Sequence, residues 1–163
     1  MRPVLAAARS AVRPALFIAA LAAAACGGSS SPPTTPSSPA APVLSVGGAY
    51  QVTPTLLQNA CGQVEVQPGP ATVAHAPGAT TLSLTHVNQV HSGTIAAGGA
   101  FSTSPRVIAL GNGSTDTVTI AGTFATAGFE AVVTVQADHA GAPPCVYTVR
   151  WAAAKQGTPN VIP

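Results

Sequence analysis

An all-β domain is predicted, a small antiparallel meander barrel of about eight strands, on three observations. From Val43 to about Lys155, short stretches rich in Val, Thr, Ile and aromatic residues alternate with Gly, Asn and Pro clusters, the pattern of strands and turns. No window of helical length in that region carries an apolar stripe of helical period. Within the stretches, apolar and polar residues alternate with a period of two. One face therefore packs and the other meets water, as in antiparallel sheets.

The elements follow in order along the chain. Gly48–Thr53 places Tyr50 and Val52 on one face. Gln63–Gln67 places Val64 and Val66 together, with Glu65 outward. Thr72–Ala74 is a short strand, and Thr80–Thr85 alternates Leu82 and Leu84 with hydroxyl residues. Val90–Ala96 and Ala100–Thr103 form a hairpin across Ala97-Gly98-Gly99. Val107–Leu110 ends in Gly111-Asn112-Gly113, a sequon-containing segment better suited to a hairpin turn. Thr115–Phe124 alternates Val118 and Ile120 with threonines, Phe129–Gln136 carries Val133 and Val135, and Val146–Trp151 aligns Tyr147, Val149 and Trp151. Gly93-Thr94-Ile95-Ala96 is echoed by Gly122-Thr123-Phe124-Ala125, which suggests two similar hairpins.

This run of tight consecutive hairpins resembles small lipocalin-like barrels. The resemblance implies an interior that either holds one small apolar ligand or is filled by side chains. Tyr50, Phe101, Phe124, Phe129, Tyr147 and Trp151 are the aromatic residues that would face that ligand or form that core. The alternative is a two-sheet β-sandwich. Against its immunoglobulin-like form, Trp151 follows Cys145 instead of lying between Cys61 and Cys145.

The domain, residues 43–156, is preceded by two segments of different character and followed by a short tail, 157–163. Residues 1–25 read as a signal peptide. Arg2, Arg9 and Arg13 lie before an apolar run, Ala15–Ala25, of 11 residues, about half of the roughly 20 needed to span a bilayer as a helix. Leu21-Ala22-Ala23-Ala24-Ala25-Cys26 resembles the lipobox of bacterial lipoproteins, which implies a lipid on Cys26 and a membrane anchor. The family places a Leu-like residue three positions before the cysteine, where this chain has Ala23. An ordinary cut that releases a secreted soluble protein is the alternative. Gly27 follows the cysteine in place of the aspartate of the inner-membrane retention signal, so the resemblance favours the outer membrane. From Gly27 to Pro42 the chain reads GGSSSPPTTPSSPAAP. Without charge or apolar period it cannot bury a core, and it is a disordered tether with an upper reach of roughly 50 Å.

Charge excludes one class of partner. The net charge of +2 depends on arginines in the export segment. Beyond Cys26 the chain keeps Arg106, Arg150 and Lys155 against Glu65, Asp116, Glu130 and Asp138. No basic stripe remains that could track phosphates, so nucleic acid is not an expected partner.

Cys61 and Cys145 remain after Cys26, and in an exported chain they are expected to form a disulfide. Closing a loop of about 85 residues is worth roughly 4 to 5 kcal/mol. His75, His86 and His91 are the only cluster from which zinc ligands could come, since zinc needs three or four converging groups. His86 and His91 can meet only across a turn at Val87-Asn88-Gln89. The acids stand singly, and neither a G-x-S-x-G elbow nor a phosphate-binding glycine loop occurs. No cofactor and no enzymatic activity is expected. The sequence reads best as an envelope binding or interaction module whose partner is a small apolar ligand or another envelope protein. A structural lipoprotein without ligand is the alternative, and a hydrolase or metal enzyme comes third.

Overall fold

The computed structural model describes residues 40–111 and 113–163. The export segment, Cys26, nearly all of the tether and Asn112 lie outside the described residues. Nine strands occur among them: β1 Gly48–Asn59, β2 Gly69–Ala74, β3 Thr81–His86, β4 Gln89–Ile95, β5 Ala100–Thr103, β6 Arg106–Gly111, β7 Ser114–Ala125, β8 Gly128–Asp138 and β9 Cys145–Lys155.

Sequential strands pair antiparallel except β5 and β6, β9 returns to β1, and β5 pairs with β7. The ring β1-β2-β3-β4-β5-β7-β8-β9 is therefore a closed barrel of eight strands, and the sandwich alternative falls. The ninth strand, β6, continues the course of β5 along the same edge of β7. Phe101 pairs with Gly122 and Arg106 with Val118, so five residues on one side oppose four on the other. The extra residue falls at Ser104-Pro105, where proline removes a ladder donor and the strand turns away from β4.

Period-two alternation sets the interior. Val52, Val73, Leu84, Ile120, Val133 and Val149 point inward and are buried, while Thr53, Thr72, Thr85, Thr119, Thr134 and Thr148 occupy alternate positions. Gly93 and Gly122, the leading residues of the echoed segments, stand on the two strands that flank β5. A Cβ on Gly93 would lie 2.1 Å from the Ser102 carbonyl oxygen, and one on Gly122 would lie 2.2 Å from that of Glu130. Glycine is required there for the close backbone approach that bends the sheet shut.

The two ends of the barrel differ. At the base lie the turns after β2, β4 and β7, together with the segments that flank β1 and β9, 43–47 and 157–163. Leu44 and Val46 are buried, and Ser45 forms an antiparallel bridge with Val161. Residues 157–163, read from sequence as a tail, thus pack against the domain. The mouth carries the connections after β1, β3, β6 and β8. Only Gly48–Val52 of β1 pairs with β2, so Thr53–Asn59 and their partners in β9, β8 and β7 rise as a wall beyond the shorter β2, β3 and β4.

The strand expected at Gln63–Gln67 does not form. Gly62, with φ +81°, and Pro68 bracket the segment, and no neighbouring strand offers it a partner. It crosses instead as a loop, with Val66 packed against the core. Cys61 and Cys145 form a disulfide with S–S 2.09 Å and Cα–Cα 5.2 Å, which pins the start of that loop to the start of β9.

Candidate functional site

The aromatic residues named from sequence divide between the two ends. Tyr50, Phe101, Phe124 and Phe129 pack together at the base, with ring centroids 4.8 to 6.0 Å apart. They fill that half and form core, each at most 5% exposed. A buried polar seal closes it below. The Asn160 amide donates to the carbonyls of Ala125 (2.8 Å) and Gly128 (3.2 Å) and turns its oxygen to Tyr50. The Tyr50 hydroxyl can donate to that oxygen at 2.7 Å or to Val46 O at 2.6 Å. Lys155 Nζ donates to the Gly47 carbonyl and the Tyr50 hydroxyl, and sits 4.5 Å from the Tyr50 ring centroid. Burial pushes the Tyr50 phenol up to about 12 and pulls the Lys155 ammonium down, because each charged form loses water.

Trp151 and Tyr147 belong to the upper half, on the inner face of β9. His86 closes onto Trp151 from β3, with ring centroids 4.6 Å apart in an edge arrangement, and its Nδ1 lies 2.9 Å from Pro70 O. The two-residue turn Val87-Asn88 has φ of +46° and +60°, the left-handed pair of a tight hairpin. It sets His86 opposite Gln89 and Leu84 opposite His91, so His86, Gln89 and His91 all face inward. His75 is not part of this group. It sits in the turn after β2, at the base, with Nε2 3.0 Å from Ala79 O. The three histidines therefore do not converge, and no group of three or more metal-ligating side chains occurs among the described residues.

Sequence reasoning missed Arg106 and Gln89. Arg106 stands at the start of β6, where the strand leaves β4, and its side chain crosses the seam. Nε and Nη2 both donate to Gln89 Oε1, at 3.1 and 3.0 Å. Arg106 makes no ion pair among the described residues, whereas Arg150 pairs with Glu130 at 2.7 Å. His91 is 4% exposed, and its Nδ1 has no hydrogen-bond partner. Desolvation, then the charges of Arg106 and His86, hold its imidazole below the usual value, so it is neutral at pH 7.

On the wall, Asp116 lies on β7 opposite Ile108 of β6. His139 Nε2 approaches Asp116 Oδ1 to 3.5 Å without forming a hydrogen bond. Burial and then the Asp116 charge push the Tyr147 phenol up. Leu56, Val66 and Ile108 supply a partly buried apolar lining. The rim is apolar as well: Leu57, Val87, Val90, Val107, Leu110 and Val146 are exposed, Val87 by 74%. A shallow groove of about 630 Å³ on the outer face of β1, β9, β8 and β7 is lined largely by alanines and threonines. It holds none of the unpartnered buried polar atoms, so the mouth is the better candidate. No family model, curated protein or solved structure matches the chain.

Proposed function

We propose that the chain is a lipid-anchored envelope lipoprotein whose barrel serves as a binding or interaction module, without catalytic activity, and whose mouth is the working end. One observation carries this reading. The polypeptide enters the barrel at the base, through Leu44 and Val46, whereas the inward-facing His91, with its unpartnered Nδ1, and the guanidinium of Arg106 gather toward the opposite end. A lipid on Cys26 would tie the module to a membrane through the tether.

Three further features support the proposal. Apolar residues face in and threonines face out, the reverse of a barrel whose outer band contacts lipid. The disulfide fits an oxidising compartment outside the cytoplasm. The base is filled by four packed aromatic rings, which favours recognition at the mouth over carriage within the barrel.

Labelling cells with a palmitate analogue tests the anchor: wild type is expected to label and Cys26→Ala is not. Equal labelling of the two would contradict it. Native mass spectrometry after gentle extraction tests carriage. A stoichiometric apolar ligand that survives extraction would show that the interior is the working site and would overturn the assignment to the mouth.

A further inference from the structure

We propose that the seam between β4 and β6 is a binding site for a single carboxylate group, held by Arg106 and His91, on a ligand whose apolar body rests against the wall of the mouth. This rests on the reading of the mouth as the working end and names the chemistry of what it takes.

Among the described residues, Arg106 makes no ion pair, and its partner, Gln89 Oε1, uses only part of its donor set. Arg150 is paired with Glu130, and Lys155 is used on the carbonyls of the base. A half-buried guanidinium with no ion pair, whose nearest acid by register is Asp116 one inward position along the β6–β7 pair, can take an anion. The geometry also leaves the demand directional. Gln89 Oε1 accepts from Nε and from one hydrogen of Nη2. Nη1 and the second hydrogen of Nη2 remain as an end-on fork, the arrangement that grips a carboxylate through two parallel hydrogen bonds.

His91 is the independent observation. It lies two residues from Gln89 on the same inward face of β4, it is almost wholly buried, and its Nδ1 finds no acceptor or donor. Buried polar atoms in folded proteins are nearly always satisfied. A neutral imidazole carrying its proton on Nδ1 would give an anion one more hydrogen bond and no second charge. One full positive charge, with the Asp116 carboxylate one inward position along, favours a monoanion; a phosphate-type dianion would keep an unneutralised charge in a partly buried site. Leu56 and Ile108, partly buried on the wall, are suited to an apolar body.

The full-length lipoprotein in detergent micelles, titrated with benzoate, benzamide and phenylphosphonate, tests this by calorimetry and by the emission of Trp151, which is the only tryptophan and touches His86. Benzoate is expected to bind saturably and benzamide at least about tenfold more weakly. Arg106→Gln is expected to weaken benzoate about tenfold, with Arg106→Lys in between because it keeps the charge and loses the fork. Arg150→Gln should leave affinity unchanged. Benzoate binding no tighter than benzamide, or undiminished in Arg106→Gln, would overturn the site. Phenylphosphonate binding tighter than benzoate would overturn the single-charge assignment. If benzoate fails while crosslinkers at the mouth still capture partners in cells, the carboxylate falls and the interaction module stands.

Discussion

Asn160, Tyr50 and Lys155 hold one another and the first turn of the domain at the base, where four aromatic rings fill the space above them. At the mouth, His91 Nδ1 is buried without a hydrogen bond, Asp116 Oδ1 has only His139 at 3.5 Å, and Arg106 makes no ion pair among the described residues; the base has one such atom, His75 Nδ1, in the turn after β2. The same β-strands run through both ends, so the difference is not one of fold. At the base, two chain segments that lie far apart in sequence meet and complete each other's hydrogen bonds. The short strands β2, β3 and β4 stop below the wall at the other end, and the loop after β1 covers the gap with only partly buried side chains. A closed barrel thus separates an end held by a network of hydrogen bonds and packed rings from one where a charged and a buried polar side chain stand together with unmet demand, and such clusters collect where function is.

The contrast can be broken first by cavities. Phe124→Ala at the base should cost about 3 to 5 kcal/mol in urea unfolding, whereas Ile108→Ala on the half-buried wall should cost less than about half as much. Equal losses would mean that the mouth is as tightly packed as the base. Replacing Cys61 and Cys145 together by alanine should cost about 2 to 5 kcal/mol, and non-reduced intact mass of wild type should lie about 2 Da below the reduced value. Equal masses would remove the staple. Asn160→Ala should cost about 1 to 3 kcal/mol, because it strands the Ala125 and Gly128 carbonyls.

Smaller effects sharpen the mouth. A β-branched residue in left-handed backbone is costly, and Val87 adopts it at an exposed tip. Val87→Asn should raise stability by about 0.5 to 1 kcal/mol, and a loss would show that the valine is held there by packing. His91 titrates low because burial, Arg106 and His86 disfavour its charged form. Its contribution is therefore complete above the ordinary imidazole value and is lost as pH falls through and below that value. The melting temperature should decline over that window in wild type and decline less in His91→Phe.

The strands were legible because alternation is local. Leu82 and Leu84, or Val133 and Val135, declare their face without reference to any partner. Gln63–Gln67 alternates equally well but has no neighbour, and pairing is not a local property. The packing of residues 43–47 against 157–163 joins the two ends of the domain, and nothing in either segment announces the other. Within the candidate site, a turn between His86 and His91 was legible at Val87-Asn88-Gln89, but the structure confines it to Val87-Asn88 and gives Gln89 to β4 opposite His86, and it is this register that puts His86 and His91 on one face. The contact of Arg106 with Gln89, and of His86 with Trp151, depends on barrel closure and on the departure of β6 at Pro105, so neither left a mark in the sequence.

Paired photocrosslinking in cells tests the division of labour most directly, with the crosslinker placed either at Val87 on the rim of the mouth or at Ala127 in the turn after β7 at the base. Discrete adducts from Val87 and none from Ala127 are the predicted result. Adducts from Ala127 alone, or silence from both positions, would contradict the assignment of the mouth as the interacting end.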